Sequence, residues 1–281
     1  MQDPDLENNT MFPGRPLGLF LAVMVAFMIA QLILFELPLL AQVGIIVTQL
    51  VVFLGGALLY RAKFAHSETS WPTMRRLGMS PAALAVVLLA SVSLGFLANG
   101  LGALTVYVFP GLEPMAEAYQ NEIEALLLPD EVPIQILGAI GVAVVAPVAE
   151  EFLFRGTLLA EQRREQVAFS AIFLNGLLFS FMHLNPVAFV SLTVVGCYFA
   201  HVTIRSDALW GAILGHAVLN LVNGVVLIRV VDDIASPDQL EIAEIGGALA
   251  VLIPVTILLW WASMRLIGGD DEEADPVDAN R

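Results

Sequence analysis

Residues 132–159 read VPIQILGAIGVAVVAPVAEEFLFRGTLL, an apolar stretch long enough to cross a lipid bilayer as one helix. A bilayer core about 30 Å thick needs about 20 such residues. The stretch nevertheless contains Glu150, Glu151 and Arg155. Charged side chains inside a membrane cost about 3 kcal/mol or more each and mark functional sites by default. This one segment therefore predicts both a membrane fold and a site within it.

The composition of the whole chain extends this expectation beyond one span. Of the 281 residues, 58% are hydrophobic and 14% are charged, and the mean hydropathy is +0.82. A soluble domain carries roughly 25% charged residues. We therefore expect an all-α polytopic protein of the cell inner membrane, in permanent contact with the lipid bilayer.

Charge and cysteine content argue against other classes of protein. The formal charge is −15, and much of it lies in loops and in the acidic tail 270–273, which is typical of a solvated surface. No nucleic-acid partner is expected. The single cysteine, Cys197, excludes a disulfide framework and a Cys-rich metal site. Residues 1–16 lack the basic region and cleavage site of a signal peptide, so the first span is expected to be an uncleaved anchor.

About eight transmembrane helices are predicted from the apolar segments. Pro38 and Pro186 separate neighbouring segments, because proline ends a helix and biases the preceding residue toward extended backbone. The segments are Leu17–Phe35, Leu39–Tyr60, Pro81–Phe109, Val132–Leu159, Val167–His183, Pro186–Ile204, Ala208–Ile228 and Ile245–Leu266.

The distribution of basic residues predicts the orientation of these helices. Loops on one side are basic and loops on the other side are acidic. The basic residues are Arg61, Lys63, Arg75, Arg76, Arg163, Arg164 and Arg205. The positive-inside rule then places both termini in the cytoplasm. On the basic side, Trp71–Met79 is either an interfacial segment or an ordinary loop. On the acidic side, Met115–Leu128 is expected to form an external amphipathic helix.

The charged residues of the fourth segment divide into a pair and a single carboxylate. Glu151 and Arg155 stand at i and i+4, on one helix face, where they can neutralise each other. Glu150 points about 100° away from Glu151 and has no counter-charge nearby in sequence. A carboxylate in that situation suits a general base. Taken alone, the pattern also fits a structural ion pair at a helix end.

Two further segments carry polar groups within the membrane. The fifth ends with His183, and a lone intramembrane histidine is often an interhelical hydrogen-bonding residue. The seventh carries His216 and Asn220 at i and i+4, so both side chains project from one face. Together the three segments offer a carboxylate to deprotonate water, an imidazole to hold it and two donors for an oxyanion.

Other chemistries fit these residues less well. Glutamates and histidines are zinc ligands, yet the chain has no His-Glu-x-x-His pair. It also lacks a Gly-x-Ser-x-Gly sequence, a P-loop and an intramembrane Asp pair. No internal repeat supports an inverted-repeat transporter.

The three motifs, in this order, resemble the CAAX-protease-and-bacteriocin-processing family. They are Glu-Glu-x-x-x-Arg at 150–155, Phe-x-x-x-His at 179–183 and His-x-x-x-Asn at 216–220. The resemblance covers about Val132–Leu227, and the first three segments and the last carry no motif. It divides the chain into an N-terminal membrane region (1–131), a catalytic core (132–228) and a C-terminal region (229–281).

The resemblance implies a fold and roles for the site residues. The helices would surround a polar cavity that faces the cytoplasm. Glu150 would be the general base, His183 would help it position the attacking water, and His216 with Asn220 would form the oxyanion hole. Glu151 and Arg155 would order the site. No cofactor is expected on this view. An older view treats the family as metalloproteases. On that view Glu150, His183 and His216 would be zinc ligands.

One constraint follows from helix length. If residues 164–183 formed a straight helix, His183 would lie about 28 Å from its cytoplasmic end, too far to meet Glu150 in a cavity of the inner half. We therefore expect 161–169 to lie largely outside the bilayer and the helix to stop part-way across. Asn185-Pro186 would then form a buried turn beside a polar cavity.

The sequence thus predicts an intramembrane endopeptidase that acts on a membrane-anchored or hydrophobic peptide. Peptide maturation and removal of a C-terminal sorting signal are both compatible, and nothing in the chain points to recognition of a prenyl group. Two alternatives are a catalytically silent immunity or scaffold protein and a proton-coupled transporter. Intact motifs oppose the first, and missing repeats oppose the second.

Overall fold

A computed structural model describes residues 14–36, 41–64, 71–227 and 242–267 of the chain. Long apolar helices make up nearly all of these residues. The helices are α1 (Gly14–Glu36), α2 (Ala41–Phe64), α3 (Pro81–Val108), α4 (Glu113–Leu127), α5 (residues 132–165), α6 (Ala168–Met182), α7 (Phe189–Ser206), α8 (residues 210–227) and α9 (Ile242–Ile267).

The predicted spans coincide with these helices to within a few residues. Six helices are long and apolar enough to cross a membrane, namely α1, α2, α3, α5, α7 and α9. The all-α polytopic fold is confirmed, whereas the number of eight spans stays a prediction. The predicted acidic tail 270–273 and the acidic loop 228–241 lie outside the described residues.

Residues 71–80 form a loop that joins two helix ends on the basic side of the bundle. Thr73 pairs with the α7–α8 turn, since its N–H donates to the Asp207 carbonyl (2.9 Å) and its carbonyl accepts from the Leu209 N–H (3.1 Å). The Trp210 indole N–H donates to the Met74 carbonyl (2.9 Å). The segment contains no helix, and its place along the membrane interface stays a prediction.

The predicted amphipathic helix is present as α4 and is tied to the beginning of α2. Gln42 is buried, and its amide donates to the carbonyls of Ala125 (3.1 Å) and Leu126 (2.9 Å). Gly138 of α5 lies against the same Leu126 carbonyl, where a Cβ atom would clash. The C-terminal end of α4 therefore packs directly onto α2 and α5.

Short π-helical turns interrupt three helices of the described chain. They are Gln49–Leu54 in α2, Gly141–Val145 and Phe154–Leu158 in α5, and Val222–Leu227 at the end of α8. A π turn inserts one extra residue into the helical register and is common at functional sites. Outside these turns the helices follow a 3.6-residue period. At each turn the register shifts, so different residues face the interior before and after it.

Two glycines allow α6 and α7 to cross in close contact. A Cβ atom on Gly196 would lie 2.7 Å from the Gly176 Cα, and one on Gly176 would lie 2.7 Å from the Thr193 carbonyl oxygen. Small residues permit this kind of close helix approach in membranes. The crossing also fixes the position of the Gly196 carbonyl, which is used by a charged side chain of α5.

We predict that Gly176→Ala destabilises the bundle by forcing α6 and α7 apart. Overpacking of this kind typically costs about 1–3 kcal/mol. The measurement is the thermal unfolding midpoint of detergent-purified protein. Gly247→Ala is the matched control, because a Cβ atom on Gly247 meets nothing within 4 Å. Equal midpoints for the two variants would contradict the tight crossing.

Candidate active site

The charged centre of the molecule is a buried pair on α5. Arg155 donates through Nη1 to Glu151 Oε1 (2.9 Å) and through Nη2 to the Gly196 carbonyl of α7 (2.9 Å). Both charged side chains have no solvent exposure. The ion pair predicted from the i, i+4 spacing is therefore present, and α7 supplies an additional acceptor that the spacing alone did not indicate.

His216 of α8 lies between the two neighbouring glutamates. Its Nδ1 is 2.8 Å from Glu151 Oε1, and its Nε2 is 3.9 Å from Glu150 Oε2. The Glu151 carboxylate already accepts from Arg155 and can only accept, so the hydrogen bond requires the proton to be on Nδ1. Nε2 is thereby directed toward Glu150.

Aromatic rings hold this imidazole in place. His216 stacks on Phe199 (centroids 5.6 Å apart, interplanar angle 19°) and meets Phe179 edge-on (5.7 Å). Phe179 in turn lies 4.8 Å from the ring of His183. One phenyl ring thus separates the two predicted histidines, and it belongs to the second motif itself.

Glu150 has a hydrogen-bond partner that sequence reasoning did not assign to the site. The Gln49 amide of α2 donates to Glu150 Oε1 at 2.7 Å, and both residues are buried. The prediction that the two glutamates meet different surroundings is therefore correct in part. Among the hydrogen bonds of the described chain, Gln49 donates to Glu150 and not to Glu151. The imidazole of His216, in contrast, lies against both glutamates. The available sequence signal was a glutamine within an otherwise apolar span.

His183 is not joined to Glu150 by a hydrogen bond or ion pair in the described part of the chain. It is exposed, and its Nδ1 is 2.8 Å from the Phe179 carbonyl of its own helix. α6 is only 15 residues long, about 22 Å at 1.5 Å per residue. The predicted end of the helix near His183 is thus present, whereas its depth in the membrane stays a prediction. Leu184, with φ of 50°, begins the turn that follows, and at 55% exposure it is not buried as predicted.

Asn220 lies one turn beyond His216 on α8 and contacts α5. Its Nδ2 donates to the Val142 carbonyl at 2.9 Å, in one of the π turns of α5. An amide nitrogen carries two hydrogens, so a second N–H remains for another acceptor. The structure therefore groups Glu150, Glu151, Arg155 and His216, with Asn220 beside them and His183 behind Phe179.

These positions bear on the zinc ligands of the metalloprotease view. Zinc needs at least three protein ligands about 2 Å from one point. Within 14–36, 41–64, 71–227 and 242–267, no three His, Cys, Asp or Glu side chains are grouped in that way. Of the three ligands of the metalloprotease view, His216 faces Glu150, whereas His183 contacts the ring of Phe179. The expectation of a site without cofactor stays a prediction.

Comparison with known families identifies the segment that contains all three motifs. Residues 132–222 match the family model described as type II CAAX prenyl endopeptidase Rce1-like. This match supports the resemblance to CAAX-type proteases that the three motifs indicate. No curated protein and no solved structure matches the chain. The match supports a CAAX-protease-like membrane peptidase in general terms.

We predict that Arg155→Met destabilises the protein by about 3–5 kcal/mol, because it leaves the Glu151 carboxylate buried without a partner. The double variant Glu151→Gln/Arg155→Met should recover part of that loss. Chemical unfolding in mild detergent measures both.

The control is Arg164→Met on the same helix. Arg164 pairs with Glu161 at 3.5 Å, but its side chain is partly exposed, so its loss should cost no more than about 1 kcal/mol. A similar cost for Arg155→Met and Arg164→Met would contradict the central role of the buried pair.

Proposed function

We propose that this protein is an intramembrane endopeptidase in which Glu150 activates water for attack on a peptide bond. The substrate class is a membrane-anchored or hydrophobic peptide, as in the family that residues 132–222 match. The observation that carries the proposal is the pair of facing groups on α5 and α8, Glu150 Oε2 and His216 Nε2, at 3.9 Å.

This separation suits one water molecule. A water that makes hydrogen bonds of about 2.8 Å to both atoms fits beside a gap of this size. Glu150 Oε2 is buried and has no hydrogen-bond partner among the described residues. A buried carboxylate oxygen without a donor is costly, and a water would satisfy it.

The proton balance of hydrolysis follows from these contacts. The water oxygen bonds to the carbonyl carbon of the substrate while one of its protons passes to Glu150. A tetrahedral oxyanion forms, and the C–N bond then breaks as Glu150 returns the proton to the leaving amine. Glu150 ends the cycle as a carboxylate, so the residue acts first as base and then as acid.

The remaining motif residues supply donors around this centre. The free N–H of Asn220 is available to a developing oxyanion, in line with the family role. The resemblance assigns the water to His183 and the oxyanion to His216. With its proton on Nδ1, His216 presents an unprotonated Nε2 toward Glu150, which can accept from the water, and it can donate to an oxyanion only once Nε2 carries a proton. Glu151 and Arg155 order the site by fixing the Nδ1 side of that imidazole.

The test is cleavage of a panel of membrane-tethered reporter peptides by purified protein. We predict that Glu150→Gln, which keeps size and removes the base, lowers the turnover number by at least about 100-fold, as expected for loss of general-base catalysis. Glu117→Gln, an exposed glutamate of α4, is the matched control and should keep wild-type turnover.

A chelator arm separates the two views of the family. Cleavage that survives a strong chelator and is lost in Glu150→Gln supports the metal-free glutamate peptidase. Loss of cleavage with chelator, restored by zinc, would instead support the metalloprotease. Equal turnover of wild type and Glu150→Gln would sink the proposed role of Glu150.

A further inference from the structure

Gln49 lies on α2, outside the segment that matches the family model, yet it makes the shortest contact to the proposed base. Its Nε2 donates to Glu150 Oε1 at 2.7 Å, and Gln49 is 6% and Glu150 7% exposed. A hydrogen bond to a charged group is stronger than one between neutral groups. With Oε1 engaged in this way, the lone pairs of Oε2 are left for another donor.

The atoms left unpartnered at this contact point to that donor. Gln49 Oε1 and Glu150 Oε2 are both buried acceptors without a hydrogen-bond partner in the described part of the chain. They belong to two side chains joined by a hydrogen bond of 2.7 Å, so one water molecule reaches both when they face the same side of that bond. A water molecule has two hydrogens, so it can donate one to Glu150 Oε2 and the other to Gln49 Oε1 or to His216 Nε2, which carries no proton in the tautomer described above.

The backbone of α2 holds Gln49 in position from both sides. The π turn Gln49–Leu54 begins at this residue and packs against α5 near the site. Two turns earlier, Gln42 fixes the same helix to α4 through two backbone carbonyls. The position of the amide is therefore set by the fold and does not depend on substrate.

We propose that Gln49 is a positioning residue for the reaction, which clamps one oxygen of Glu150 and offers its own carbonyl oxygen to the attacking water. This inference rests on the proposed function of Glu150 as base. It also means that a helix without any family motif completes the site.

The test replaces the amide by an apolar side chain of similar length. Gln49→Met should lower the turnover number on a cleaved reporter peptide by about 10- to 100-fold, with KM unchanged within twofold. Gln31→Met is the control, since it removes the same amide from an exposed position of α1, and it should keep the turnover number within about threefold. Wild-type turnover in Gln49→Met, or an equal loss in both variants, would overturn the inference.

A double-mutant cycle makes the contact testable without a substrate. The changes in unfolding midpoint caused by Gln49→Met and Glu150→Leu should be non-additive by several degrees, because each removes the same hydrogen bond, whereas a glutamine at 150 would still accept from Gln49. Additive changes would contradict the clamp. If Glu150→Gln keeps its activity, the proposed base fails. If Glu150→Gln is inactive while Gln49→Met is fully active, only the role of Gln49 fails.

Discussion

The buried Glu151–Arg155 pair is the constraint on which the rest of the site depends. Two charges without solvent exposure are tolerated in a membrane only when each is paired and hydrogen-bonded, since desolvation costs several kcal/mol per ion. Arg155 meets that condition through Glu151 and the Gly196 carbonyl, and Glu151 through Arg155 and His216. One neutralising network thereby joins α5, α7 and α8, and it fixes the tautomer of His216.

That network requires helices closer together than large side chains allow. The Gly196 carbonyl reaches Arg155 because Gly196 and Gly176 bring α7 against α6. π turns contribute in a similar way, because a shifted register changes the backbone pairing of the helix and leaves carbonyls for outside donors. Val142 accepts from Asn220, and Phe154 accepts from Asn175, both within π turns of α5. Packing and hydrogen bonding are thus parts of one arrangement.

The sequence predicts the parts of this molecule that depend on local pattern. Span positions follow from apolar length, and the Glu151–Arg155 pair follows from i, i+4 spacing. The break after His183 follows from the length that a straight helix over residues 164–183 would have. Partners between distant helices could not be predicted, because neither periodicity nor composition states which helices touch. Gln49 is 101 residues from Glu150 in the chain. The π turn that begins at Gln49 also shifts the helical register, so a 3.6-residue period does not tell which side of α2 faces the site.

The division of labour along the chain explains why the motifs alone do not define a complete site. Residues 132–222 supply the carboxylates, the imidazole and the Asn220 amide, and they are the part that a family model detects. The donor to Glu150 comes from α2, and the apolar core that surrounds the cluster draws on Phe53, Leu94 and Leu249 from outside that segment. A division at 131 and 228 therefore describes where the motifs lie. The position of the Glu150 carboxylate, by contrast, also depends on the Gln49 amide of α2, a helix that carries none of the motifs.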